Sequence, residues 1–184
     1  MSGKYAVLFP GIGYTLDKPL LYYSRKFAEG EGYEIIEVPY KNFKRGVKGN
    51  AEKMKEAFDL AMSQTEEILS GAGLEEADEL LFISKSIGTA AAAAYAAKHD
   101  LKVRHIFYTP LKETFLFAAS GNAVAFHGTA DPWASDEDII EGCREKEIPL
   151  IIVPDANHSL ETGNAAKDLQ ILTQVMREAF PGKD

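Results

Sequence analysis

The chain has 184 residues and a formal net charge of −8, a balance that excludes nucleic acid as its main partner and disfavours an anionic membrane surface, because both demand a basic face. Hydrophobic residues make up 46% and charged residues 26%, which separates it from disordered chains, and no stretch approaches the roughly 20 apolar residues of a membrane span. The single cysteine, Cys143, excludes an intrachain disulfide, and the run Tyr5 to Phe9 is too short for a signal peptide, so one cytoplasmic domain over residues 1–184 is expected.

Taken in chain order, Tyr5 to Phe9 reads as a buried strand stopped by Pro10-Gly11-Ile12-Gly13. A helix is predicted from Leu20 to Ala28, with Pro19 near its first turn and Gly30 and Gly32 ending it. Glu34 to Val38 is a second strand. Residues 40–49 form a basic loop, and Asn50 is placed to cap a long helix from Ala51 to Leu69. Met54, Phe58, Ala61, Met62, Thr65 and Leu69 recur at three and four along it, predicting one buried stripe.

Glu79 to Ser84 is a third strand, followed after a turn at Ser86 by an alanine-rich helix from Gly88 to Lys98. Val103 to Tyr108 is a fourth strand, and residues 111–120 fit one short helix. Ala123 to His127 is a fifth strand. A helix from Asp136 to Lys146, with Ser135 as cap, precedes a sixth strand from Pro149 to Val153 and a last helix from Ala165 to Phe180. Short apolar strands alternating with helices predict an α/β fold: a mostly parallel sheet of about six strands with helices on both faces. Active groups on such a sheet lie beyond the carboxyl ends of its strands.

Ser84-Lys85-Ser86-Ile87-Gly88 follows the third strand. A serine hydroxyl attacks well only when it is held exposed beside a base, and a tight strand-to-helix turn exposes it. Such a turn needs small residues two before and two after, which Ser84 and Gly88 supply. The same serine also reads as an ordinary helix N-cap. Asp131, in Gly128-Thr129-Ala130-Asp131-Pro132, follows the fifth strand. His158, in Asp155-Ala156-Asn157-His158, follows the sixth. Asp131-Pro132 alone could be a turn, and a loop histidine alone is usually solvated. Together, nucleophile, acid and base in the order Ser86, Asp131, His158, each directly after a strand, match the order of one hydrolase arrangement.

Two backbone N–H donors are needed for the oxyanion. Ile87 supplies one, and the loop after the first strand supplies the other, with Ile12 chosen over Gly11 or Gly13. Gly11, Tyr14, Lys85 and Trp133 are candidate substrate-binding residues, with Asp17, Lys18, Tyr108 and Thr109 on the same edge. Lys85 either attracts an anionic substrate or points to solvent, with solvent slightly preferred. Trp133 either lines the pocket or packs the acid loop. Asp155 is a rival to Asp131 as acid. Asp136 and Asp138 read as helix-start residues, His127 as packed or hydrogen-bonded, His99 and His105 as solvated, and Cys143 as inert.

On Leu8-Phe9-Pro10-Gly11, Ser84-Lys85-Ser86-Ile87-Gly88, Gly128-Thr129-Ala130-Asp131 and Asn157-His158, the chain resembles the α/β-hydrolase superfamily over nearly its whole length. It is similar to the small lidless members, the dienelactone-hydrolase-like and minimal esterase-like proteins. Ser84 stands where the family usually has glycine, and Pro10 where it usually has histidine. The resemblance implies a sheet without the two leading strands, no lid domain, and the roles given above for Ser86, Asp131 and His158. It implies a serine hydrolase acting on a small-molecule ester or thioester, without metal or cofactor; a non-catalytic relative binding a ligand or partner is the alternative. A nucleotide-binding module fails on its motif, since the third glycine of a Gly11-Ile12-Gly13 fingerprint falls at Leu16.

Overall fold

The structure, a computed structural model, describes residues 3–182. Six strands form one sheet: β1 (Lys4–Phe9), β2 (Glu34–Glu37), β3 (Glu79–Lys85), β4 (Arg104–Tyr108), β5 (Ala123–Gly128) and β6 (Leu150–Val153). Their order is β2-β1-β3-β4-β5-β6, and every neighbouring pair is parallel. Five α-helices cover it: α1 (Pro19–Gly30), α2 (Ala51–Leu69), α3 (Ile87–Lys98), α4 (Asp136–Glu145) and α5 (Ala165–Ala179).

Strands covered on both faces must be apolar on both, and Ala6, Val7, Leu8 and Phe9 of β1 are all fully buried. One face packs Leu8, Leu81, Ile83 and Ile106 against α1 and α5, with Leu21, Ala28 and Val175. The other packs Val7, Phe9 and Phe82 against α2 and α3, and Phe107 and Ala125 against α4. The alanine-rich sequence of α3 explains its place: Ala90 to Ala96 are buried, and only small side chains let a helix lie this close to its neighbours. Asn50 caps α2 by accepting from the Lys53 N–H at 2.9 Å, and Ser135 caps α4 by accepting from the Asp138 N–H at 3.1 Å.

The differences from the sequence reading are local. β2 stops at Glu37, although the Val38 N–H still reaches the Leu8 carbonyl at 3.0 Å. β3 runs on through Lys85, because Lys85 pairs in register with Tyr108. The buried line of α2 is Ala57, Ala61, Thr65 and Leu69; Met54, Phe58 and Met62 are half-buried. Residues 111–120 hold a short 3-10 turn, Lys112–Leu116, and no longer helix. His105 is not solvated: it sits in β4 at 4% exposure between the rings of Phe82 and Phe107, and burial pushes its pKa down to about 3. His99 is half-exposed and bonds Glu66. Cys143 is buried, and burial pushes its thiol up to about 12. Among the described residues no helix is long and apolar enough to cross a membrane.

Candidate active site

β1 lies between β2 and β3, so the chain leaves β1 toward one side of the sheet and β3 toward the other. Connections diverge there, and the crevice at the carboxyl ends of β1 and β3 is the natural binding place of such a sheet. Ser86 stands at that point, between β3 and α3, with φ 56° and ψ −125°. A non-glycine residue in this region costs on the order of 1–3 kcal/mol and persists only where its surroundings hold it.

Here they do. The Ser86 N–H donates to the Tyr108 carbonyl at 3.1 Å, the Ser84 hydroxyl to the Ile106 carbonyl at 3.2 Å, and the Thr89 hydroxyl to the Ser86 carbonyl at 2.6 Å. A Cβ on Gly88 would lie 2.5 Å from the carbonyl oxygens of Phe9 and Pro10, so no larger residue fits there without movement. A Cβ on Gly11 would lie 3.0 Å from the Ser86 Cβ. Gly11 therefore gives room behind the serine turn and does not stand among the cavity-lining residues, contrary to its sequence assignment.

The loops after β5 and β6 bring Asp131 and His158 to the same rim. The His158 Nδ1–H donates to Asp131 Oδ2 at 2.7 Å. With Nδ1 committed as donor, Nε2 is left as acceptor for the Ser86 hydroxyl, 2.8 Å away. The other Asp131 oxygen, Oδ1, accepts from the Trp133 N–H at 2.8 Å, and the indole stacks on the His158 ring with centroids 5.5 Å apart. The Thr109 hydroxyl holds the loop by donating to the His158 carbonyl at 3.0 Å. Asp155 lies outside this chain, exposed and paired with Lys167 at 3.4 Å.

Burial alone would raise the Asp131 carboxyl. The hydrogen bond and charge of His158, the Trp133 N–H and the charge of Lys85 outweigh it, and the group titrates below the ordinary carboxylate value. Burial is also the largest influence on His158 and lowers it. The charges of Lys85 and His127 add to that, Asp131 opposes, and the net displacement is downward from 6.5. His158 is therefore a neutral imidazole at neutral pH, able to accept a proton.

A cavity of about 210 Å³ opens over Ser86, lined among others by Ile12, Tyr14, Lys85, Ile87, Trp133 and His158. Ile87 is the first residue of α3, where the N–H has no intrahelical acceptor. Ile12 lies inside a tight turn closed by the Gly11 and Tyr14 N–H groups, which leaves its own N–H out of the closure. Tyr14 is largely buried, its hydroxyl accepting from the Leu20 N–H at 3.1 Å.

Other assignments are corrected. Lys85 is 1% exposed and does not point to solvent. Tyr108 and Thr109 are wholly buried and shape the site from behind, and Asp17 and Lys18 are exposed away from the cavity. His127, by contrast, is as expected: it is buried and bonds Asp136 at 2.8 Å, so the start of α4 serves as its acceptor. Met54, Leu111 and Ser159 also line the cavity and were missed. Leu111 and Ser159 could have been found, since each lies just beyond a strand end. Met54 could not, because a residue on α2 reaches the rim only through helix packing.

No protein-family model matches the sequence, and no curated protein sequence matches it. Solved structures do share its shape. An α/β serine hydrolase homologue from Coxiella burnetii is similar at TM-score 0.67 and 14% identity, over 97% of this chain and 85% of that one. A lidless α/β serine hydrolase from Xanthomonas campestris is similar at TM-score 0.67 and 13% identity, over 98% and 84%. An esterase from Pyrococcus furiosus is similar at TM-score 0.62 and 10% identity, over 97% and 84%. With six parallel strands in this order and a bare 3-10 turn between β4 and β5, the chain has the fold of the lidless α/β hydrolases.

Proposed function

We propose that the protein is a serine hydrolase that cleaves small esters or thioesters through an acyl-enzyme on Ser86. The observation that carries this reading is the unbroken hydrogen-bonded chain Asp131–His158–Ser86 on a strained turn beside a cavity. The likeness to hydrolases and an esterase supports a small-molecule ester as substrate.

In the proposed reaction His158 Nε2 takes the Ser86 proton as the oxygen attacks the carbonyl carbon. Asp131 holds the ring in the required tautomer and stabilises the imidazolium. The N–H groups of Ile12 and Ile87 receive the oxyanion. Collapse of the tetrahedral intermediate expels the alkoxide or thiolate, which takes the proton from His158. Water then attacks the acyl-enzyme by the same route in reverse. Trp133, stacked on His158, shields the pair from water on one side. A second, apolar cavity of about 220 Å³, with Phe58, Ala90 and Phe117 in its wall, shares Met54, Ile87 and Leu111 with the first, which gives an apolar arm of the substrate a place to lie.

A fluorophosphonate probe tests the reading directly. Wild-type protein should gain the mass of one adduct, and Ser86→Ala should gain none. Wild-type protein that stays unlabelled and turns over no ester would refute the proposal and favour a non-catalytic binding protein.

The pH dependence follows from His158. The base must be neutral, so kcat/KM for an uncharged ester should be flat near neutrality and fall as pH drops through the His158 pKa. Because that pKa is displaced downward, the midpoint of the acid limb should lie below 6.5. A limb centred at pH 7 or above would contradict the environment described for the ring.

A further inference from the structure

We propose that the cavity over Ser86 takes esters that also carry a carboxylate, held by the ammonium of Lys85. The inference names the substrate class of the site and rests on Ser86 as its reacting residue. Lys85 is the last residue of β3 and shares a face with Ile83 and Leu81, so its side chain enters the α1 side of the sheet under the Gly11–Tyr14 turn. It is among the largest fully buried side chains of the protein. Lysines are almost never fully buried unless paired. Among the described residues, none offers Lys85 a hydrogen-bond acceptor or a carboxylate within ion-pair distance. Its one close partner is the Tyr14 ring, whose centroid lies 5.0 Å from Nζ.

Asp131 is the carboxylate whose charge reaches Lys85, yet its two oxygens are already engaged by His158 and Trp133. Burial pushes the Lys85 pKa down to about 7, with the charge of Asp131 opposing. The same side chain lines the cavity with Ser86 and His158. A carboxylate entering there would supply the missing acceptor, and a neutral ester would not. Lys85 is the sole lysine or arginine in the lining, which suits one negative charge better than a phosphate.

The test separates binding from turnover. Monomethyl glutarate, a monoanionic ester, is titrated calorimetrically into the Ser86→Ala protein. Saturable binding is expected, weakened tenfold or more by adding Lys85→Met. In wild-type protein, kcat/KM for mono-4-nitrophenyl glutarate should exceed that for 4-nitrophenyl pentanoate tenfold or more, and Lys85→Met should bring the ratio close to one. Absence of glutarate binding, or binding that Lys85→Met leaves unchanged, overturns the proposal. Lys85-dependent binding without turnover of either ester keeps the anion site and removes the hydrolase reading.

A second measurement stands if Lys85→Met does not fold. Affinity of the Ser86→Ala protein for monomethyl glutarate should fall between pH 7 and 10 as the amine loses its proton. Of the groups around it, His158 is neutral and Asp131 ionised throughout that range, and burial raises the Tyr14 phenol above it. Constant affinity across the range counts against Lys85.

Discussion

Replacing His158 by alanine is expected to lower ester turnover by a factor on the order of a thousand or more, the scale seen when one member of such a group is removed. Two things are lost together. The Ser86 hydroxyl loses its acceptor at 2.8 Å, so its proton has no base to move to. The leaving group loses its proton donor in the collapse step. Members of one catalytic unit are strongly non-additive, so His158→Ala in a Ser86→Ala background should cost little more than Ser86→Ala alone. Asp131, whose side chain is wholly buried, would be left with the Trp133 N–H as its sole remaining hydrogen-bond donor of the two. An uncompensated buried charge is costly, so the variant should also unfold at lower denaturant concentration. Steady-state rates on a 4-nitrophenyl ester, with a urea titration beside them, check both statements. A rate within tenfold of wild type would take His158 out of the mechanism.

Gly128→Ala should damage the same site from the outside. Gly128 closes β5 and pairs in register with Val153 of β6. A Cβ built on it falls 2.2 Å from the Ala156 carbonyl oxygen and 2.9 Å from that of Asn157. Both obstacles are backbone, so no side-chain rotation relieves them. The loop that carries His158 must move away from the loop that carries Asp131. These loops are tied by the Thr129 N–H to the Val153 carbonyl at 3.1 Å and the Ala130 N–H to the Ala156 carbonyl at 2.9 Å. Overpacking of this kind costs about 1–3 kcal/mol. A displacement of about 1 Å between reacting groups can cost about a hundredfold in rate. Stability and kcat/KM should therefore fall together in this variant. Gly30→Ala is the control, since a Cβ there meets nothing within 4 Å, and it should leave both unchanged. Wild-type kinetics in Gly128→Ala would show that the two loops tolerate separation.

How far these features were legible from the chain differs by element. β1, β3, β4 and β5 were readable because each is a short apolar run bounded by turn residues. α2 and α4 were readable because Asn50 and Ser135 announce their starts. The serine turn was readable from the small residues Ser84 and Gly88, whose need for space is local. The apolar stripe of α2 was read too wide: Ala61, Thr65 and Leu69 are buried as expected, Ala57 joins them, and Met54, Phe58 and Met62, which obey the same periodicity, are only half-buried. Periodicity identifies a face; the neighbour, here an alanine-rich helix, decides which part of that face it meets. His105 shows the same limit, since a histidine at the start of a strand reads as polar and exposed until Phe82 and Phe107 close around it.

The sequence by itself determined the alternation of strands and helices, hence the parallel sheet, and the order in which Ser86, Asp131 and His158 follow their strands. Those are properties of neighbours in the chain, and short-range sterics and hydrophobic spacing fix them. Tertiary structure alone decided that Met54 reaches the cavity and that Lys85 is buried without a partnering carboxylate. Each depends on segments dozens of residues apart packing against one another. Their distances are set by the whole sheet and its covering helices, a quantity no local pattern encodes.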